Sequence, residues 1–287
     1  MERVVKRRTT RAGGGRVRGA PCRRDLRRPG GNLSGARRPA CACHAGARGV
    51  AMVVFASRPD LEETGTSSAA GEVSSIIEDL KSAAMNLHTK DQSASGGQKA
   101  KKRPEFKPTL EGYLRYLVDS RAIFSTMEDI VKEKAELSLL LENGLERAGA
   151  LEKDIAYIES LEVQPVAVEG EASPGSDYSA YLKTLSQENL PGFICHYYNT
   201  YFAHTAGGRM IGKAVSDRIL DGRKLDFYHD YPEPVSKLSK RVKDSLEDIA
   251  REWSEEEKGK CVGETGKAFQ YAGQVMRQIT MSSSSSE

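Results

Sequence analysis

The stretch FICHYYNTYFAHTAGGRMIGKAV (193–215) decides the fold class, because its apolar and aromatic residues recur at helical spacing. Intervals of four, three and four residues place one set on a single helical face: Tyr197, Tyr201, His204 and Gly208. Gly207 and Gly208 stand inside this helical pattern, where each glycine costs roughly 0.8–1 kcal/mol relative to alanine. Three interpretations fit the pair: a kink, a close approach of backbone to a flat and bulky group, or a helix end.

The same spacing extends outward over most of the chain. An apolar face runs through Val73, Ile76, Ile77, Leu80, Ala84, Leu87 and His88, and Thr109 can N-cap the next helix. Further helices are predicted over 136–160, 177–190, 193–221 and 234–279, the last interrupted near Trp253–Ser254, with a loop over 163–177. No alternating segment demands a sheet, so we expect one all-α domain large enough to enclose a ligand pocket.

The N-terminal segment differs sharply in charge from the remainder. Residues 1–57 carry 14 basic and two acidic residues, a net +12, whereas the remaining residues carry a net −9. Import into an organelle and a nucleic-acid-binding arm both suit such a segment. We favour import, and no nucleic-acid partner, because no basic amphipathic element continues into the acidic part. The expected organisation is a disordered transit peptide (1–57), a linker (58–71), the domain (72–279) and a low-complexity tail (280–287).

The sequence predicts neither a membrane-spanning segment nor a zinc site. The longest apolar run, residues 50–56, is far shorter than the ~20 residues that span a bilayer. Cys195 and Cys261 are the only cysteines outside the predicted leader, and neither has zinc-ligand spacing. We interpret both as ordinary reduced thiols.

His88 is the first candidate for a ligand. It continues the apolar face of its helix, so its imidazole is expected to face the interior, either as a core histidine bonded to a carbonyl or as an axial ligand of heme iron. Lys81 lies seven residues earlier, about 10.5 Å along the axis on the same face. A cation at that distance would suit a heme propionate, although a solvated lysine is the ordinary alternative.

Several segments together resemble heme oxygenases, most closely the plant and algal type. The matching motifs are LHTKDQ (87–92), TLEGYLRYLVDS (109–120), YFAHTAGGRMIG (201–212), ILDGRKLDFY (219–228) and REWSEEEKGK (251–260). The resemblance covers roughly residues 72–279. It implies a helical domain that holds heme between a proximal and a distal helix.

The resemblance also implies roles for individual residues. His88 corresponds to the proximal iron ligand, and Gly207 and Gly208 to the glycines packed over the distal face. Lys81, Tyr198, Lys240 and Arg241 correspond to residues that meet the propionates. Two positions depart from the animal enzymes: Met85 stands where a second propionate lysine is common, and His204 replaces a distal carboxylate, as it does in plant-type members.

The implied activity is the opening of heme at the α-meso carbon to biliverdin IXα, with release of carbon monoxide and iron. Heme is both substrate and cofactor, O2 is the co-substrate, and reduced ferredoxin supplies electrons in the chloroplast stroma to a protein expected to be a monomer. Ferredoxin is acidic, so a local basic patch is needed for docking: residues 99–103, or Lys237, Lys240, Arg241 and Lys243. A heme or tetrapyrrole carrier without turnover and a cofactor-free helical interaction protein are the alternatives.

Overall fold

The computed structural model describes residues 75–94, 106–161, 163 and 172–281, and of residues 88–94 it describes the backbone alone. Within these ranges the chain forms ten α-helices and no β-strand, which confirms the all-α prediction. They are α1 (Ile76–Ala94), α2 (Leu110–Glu133), α3 (Ala148–Glu159), α4 (Pro174–Glu188), α5 (Leu190–Ala203), α6 (Arg209–Ile219), α7 (Asp226–His229), α8 (Val235–Ala250), α9 (Glu255–Gly263) and α10 (Thr265–Arg277). The predicted leader and linker lie outside the described residues. No described helix has the length and apolarity to cross a bilayer.

Helix α2 lies at the centre of the packing. Thr109 begins it as predicted, since the Thr109 hydroxyl accepts a hydrogen bond from the Gly112 N–H at 3.0 Å. Its buried face packs against α3 and α4 and against the 3₁₀ segment Gln278–Thr280. The segment that follows α10 is therefore packed against α2.

The prediction of one helix over 136–160 is wrong. A 3₁₀ segment, Ala135–Leu140, is followed by a tight turn before α3 begins. Glu142 and Gly144 both have positive φ, at 47° and 86°, which a helix does not allow. The buried Asn143 stabilises the turn, because its amide donates to the Leu140 carbonyl at 2.6 Å and its oxygen accepts from the Leu145 N–H.

Two other predicted boundaries also shift. Helix α4 begins inside the predicted 163–177 loop, where Ser173 and Ser176 form a capping box with Pro174 in the first turn. The predicted helix 234–279 is interrupted near Trp253–Ser254 as expected, with Ser254 capping α9, and a further break at Glu264 separates α9 from α10.

The predicted 193–221 helix forms, with one irregularity. Helices α5 and α6 are joined without a loop by a π-helical turn, His204–Gly208, so the glycine pair does not end the helix. Single π turns inside α-helices occur most often at functional sites. Gly212 also allows close packing: a Cβ there would lie 2.5 Å from the Tyr228 ring.

Candidate active site

A pocket opens beside the π turn. The space inside the pocket and its mouth, which is open to solvent, amounts to about 720 Å³. The α5–α6 segment supplies one wall: Thr200, Ala203, His204, Gly207, Gly208 and Ile211. Helix α2 contributes aromatic and aliphatic side chains such as Phe124, and α10 contributes Val275 and Met276. The lining is therefore largely apolar, with a few polar groups.

His204 is the buried titratable group of the π turn. Its Nε2 lies 2.9 Å from the Phe227 carbonyl oxygen, and its ring stacks on the Phe227 ring with centroids 4.0 Å apart. Because a carbonyl only accepts, Nε2 carries the proton and Nδ1 keeps a lone pair. Burial lowers the pKa of His204 to about 3, so the imidazole is neutral near pH 7.

The absence of a side chain at Gly208 leaves this acceptor accessible. A Cβ on Gly208 would lie 3.3 Å from the His204 Nδ1, closer than most Cβ contacts allow without movement. Gly207 is buried and also lines the pocket. The structure thus brings together His204, Gly207 and Gly208, three of the residues that the sequence singled out.

Phe227, which positions His204, was not predicted. It lies on the short helix α7, whose first N–H groups donate to the Asp154 carboxylate: Asp226 N–H at 3.0 Å and Phe227 N–H at 2.7 Å. A carboxylate at a helix N-terminus is the favoured partner of these groups. The motif ILDGRKLDFY contained the signal, but only the tertiary contact with α3 reveals its use.

A second group of polar residues surrounds Tyr198 on α5. Tyr198 is buried, and burial followed by the charge of Glu78 raises its pKa to about 12. Its ring stacks on Phe202 with centroids 4.6 Å apart, and the Lys243 ammonium lies 5.2 Å from the centre of the Phe202 ring. Glu78 in turn pairs with Lys81 at 3.5 Å. Residues of α1, α5 and α8 therefore meet at this edge.

The comparisons with known proteins agree with one another. A model of the heme oxygenase family matches residues 74–278. The chain is 41% identical over 216 residues to Heme oxygenase 1, chloroplastic, of Arabidopsis thaliana, which covers 73% of this chain and 75% of that protein. The chain belongs to the heme oxygenase family.

Two further similarities support the same conclusion. Heme oxygenase 1, chloroplastic, of Oryza sativa subsp. japonica is 41% identical over 209 residues, 71% of either chain. The fold matches heme oxygenase 2 from Chlamydomonas reinhardtii without heme, with a TM-score of 0.55 at 17% identity, over 74% of this chain and all of that one. As a heme oxygenase of the plant plastid type, the chain is an oxidoreductase that converts heme to biliverdin. Its chloroplastic relatives support a plastid location.

His88, Lys240 and Arg241 are the other residues predicted to act on heme, and of these Lys240 and Arg241 are not among the residues that line the pocket. His88 lies on α1, but its side chain is outside the described part of the chain. Lys240 and Arg241 are exposed on α8, where Lys240 pairs with Asp244 at 2.8 Å and Arg241 with Glu233. The α8 cation with a described contact to α5 is Lys243.

We expect His204→Phe to flatten the pH dependence of the unfolding free energy. Below the ordinary pKa of 6.5 the unfolded wild-type chain binds a proton, but the folded chain does not until about pH 3. Wild type therefore loses stability as pH falls through this window. Between pH 8 and pH 5 it should lose about 2 kcal/mol more than the variant. Urea denaturation at both pH values measures the difference, and equal losses would contradict the buried neutral histidine.

Proposed function

We propose that heme lies between α1 and the continuous α5–α6 helix, with the His88 imidazole on its iron and its distal face against Gly207 and Gly208. The observation that carries this proposal is the pocket wall at the π turn, where two glycines and a neutral His204 line an otherwise largely apolar space. A planar apolar macrocycle suits such a wall, because backbone without Cβ atoms can approach it closely.

The burial pattern of helix α1 is a second observation that supports the proposal. Its apolar face is buried at Ile76 and Leu80 but only partly buried at Leu87, directly before His88. A bound macrocycle would cover this remaining apolar surface. Bound heme supplies the iron at which O2 is reduced, and a neutral imidazole suits this use, whereas a thiolate would favour O–O cleavage.

His204 is proposed to hold water on the distal side. Its Nε2–H is bonded to the Phe227 carbonyl, so Nδ1 is the atom left to accept a hydrogen bond. Its low pKa keeps that acceptor unprotonated throughout the physiological range. His204 would thereby take the part that a carboxylate plays in the animal enzymes, without placing a negative charge beside the substrate.

The propionates are proposed to meet Lys81 and Tyr198, as the family resemblance implies. For α8 it implies Lys240 and Arg241, and the contacts add Lys243 as a competing candidate. Lys243 approaches Phe202, which stacks on Tyr198, whereas Lys240 pairs with a carboxylate on its own helix. A cation that contacts Phe202, which stacks on Tyr198, is better placed to meet a propionate beside Tyr198.

The electron donor is proposed to be ferredoxin in the plastid stroma, and the enzyme is proposed to act as a monomer. The predicted patch at residues 99–103 lies outside the described residues. The alternative patch lies on α8, which carries Lys237, Lys240, Arg241 and Lys243. Because the chain outside residues 1–57 is acidic, a local patch of this kind is what an acidic protein would recognise.

His88→Ala should lose the absorption spectrum of imidazole-ligated heme and most biliverdin formation, because the iron loses its protein ligand. Added imidazole should restore part of both by occupying the vacated space. His229→Ala is the matched control, since His229 is exposed on α7 and is expected to bind heme normally. A wild-type spectrum and rate in His88→Ala would make the assignment wrong.

Lys243→Ala should weaken hemin binding about fivefold, the effect of about 1 kcal/mol from one partly exposed ion pair. Lys240→Ala should change it less than twofold. Absorption titration without ferredoxin measures heme binding alone, so an effect on ferredoxin docking does not interfere. A larger loss of hemin affinity in Lys240→Ala than in Lys243→Ala would instead identify Lys240 and Arg241 as the α8 partners of the propionates.

Removal of residues 1–57 should leave biliverdin formation unchanged, because the motifs shared with the family begin beyond them. Absorption of the hemin complex before and after addition of reduced ferredoxin distinguishes turnover from mere binding. A fluorescent fusion of residues 1–57 should accumulate in chloroplasts. Nuclear accumulation would favour the nucleic-acid arm, and mitochondrial accumulation would exclude plastid ferredoxin as the donor.

A further inference from the structure

A line of hydrogen bonds connects the pocket with Glu264, at the junction of α9 and α10. The Tyr178 hydroxyl lies 2.7 Å from the His196 Nδ1, and the His196 Nε2 lies 3.1 Å from a Glu264 carboxylate oxygen. Tyr178 lines the pocket, and both Tyr178 and His196 are almost fully buried. The Glu264 side chain is 21% exposed, so the line ends at a group that water can reach.

The protonation states along this line follow from its surroundings. Burial lowers the pKa of His196 to about 4, against the opposing effect of Glu264. For Glu264, burial acts to raise the pKa, but hydrogen bonds from Tyr181 and His196 outweigh it and lower the pKa. A neutral His196 therefore donates from Nε2–H to an ionised carboxylate, and its Nδ1 accepts the Tyr178 O–H. Burial also raises the pKa of Tyr178, so its phenol stays neutral.

We propose that Tyr178, His196 and Glu264 form a proton relay between solvent and the pocket. The transfer begins from the other neutral tautomer of His196, in which Nδ1 carries the proton and Nε2 has a lone pair toward Glu264. A proton from water enters at Glu264 and passes to Nε2, which produces an imidazolium at His196 paired with the carboxylate. The His196 Nδ1–H then passes to the Tyr178 oxygen while the phenol proton moves to an acceptor in the pocket. One proton enters, one leaves and no electron moves. His196 is left neutral with its proton on Nε2, and it returns to the Nδ1–H tautomer before the next transfer.

The pocket end of the relay lies beside the proposed distal site. The Thr200 hydroxyl is near the Tyr178 phenol, and Thr200 precedes His204 by one helical turn on the same pocket wall. The proposal rests on heme binding in this pocket. Reduction of O2 during heme opening consumes protons, and the largely apolar lining contains few groups that could supply them.

The groups around His196 suit a transient proton carrier. A carboxylate that stabilises an imidazolium is the arrangement by which histidine acts in acid–base catalysis. Lys267 opposes the imidazolium, and its ammonium lies 4.0 Å from the ring of Tyr181, whose hydroxyl donates to Glu264 at 2.7 Å. Tyr271 stacks on Tyr178 and Tyr181. The charged form is thus reachable but short-lived, and with a pKa of about 4 roughly one molecule in a thousand carries it at pH 7.

The test compares Tyr178→Phe with Tyr197→Phe in the full chain loaded with hemin. Both remove one buried phenol hydroxyl in a hydrogen bond, but Tyr197 bonds to Asn143 and lies off the relay. Tyr178→Phe should slow single-turnover biliverdin formation at least tenfold and alter the H2O/D2O rate ratio, with hemin affinity unchanged. Tyr197→Phe should stay within twofold of wild type in rate and isotope ratio.

Glu264→Gln keeps the test decisive if Tyr178→Phe folds poorly. Glutamine retains size and a hydrogen-bonding group but cannot stabilise the imidazolium, so turnover should slow and its dependence on pH should change. Wild-type rate and isotope ratio in both Tyr178→Phe and Glu264→Gln would overturn the relay while leaving heme oxygenase activity intact. Failure of wild type to form biliverdin would instead overturn the proposed function.

Discussion

The hydrogen bond from His204 to the Phe227 carbonyl is the contact on which the pocket depends. It joins the π turn of the long α5–α6 helix to the short helix α7, whose first turn is in turn held by the Asp154 carboxylate of α3. Phe124 of α2 packs edge-on against both the His204 and Phe227 rings. Four separate elements thus fix one imidazole. Displacement of α7 would therefore have two effects at once: it would free His204 and alter the pocket wall.

The bond between His204 and Phe227 also explains why glycines occupy positions 207 and 208. A π turn offsets the helix, and the pair within it offers backbone in place of side chains at the pocket. With a Cβ only 3.3 Å from the His204 Nδ1, a larger residue at Gly208 would crowd the one ring nitrogen not already bonded to Phe227. The unfavourable helix propensity of two adjacent glycines is therefore offset by access to an acceptor and to a flat substrate.

Sequence reasoning succeeded where the determinant was local and failed where it was tertiary. Helical periodicity alone identified the 193–221 helix. The unfavourable helix propensity of Gly207 and Gly208 indicated a special role for the residues that line the pocket. The 136–160 prediction failed because Asn143 bonds to Tyr197, 54 residues away, and stabilises a turn that periodicity cannot detect. Lys240 and Lys243 lie less than one turn apart, so spacing could not decide which faces α5. The line through His196 joins α4, α5 and Glu264, and no motif contains all three.

Among the side chains that the structure describes, His196 and His204 are the buried histidines, and they differ in the partner of their Nε2–H. His204 donates to an uncharged carbonyl, and burial lowers its pKa well below the ordinary value although the bond to Phe227 acts in the opposite direction. His196 donates to a carboxylate, and the attraction of this carboxylate for an imidazolium opposes the lowering of its pKa by burial. The His204 ring is thereby suited to remain a fixed acceptor beside the substrate. The His196 ring is suited to change its charge briefly, because the Glu264 carboxylate that compensates the charge is already bonded to it.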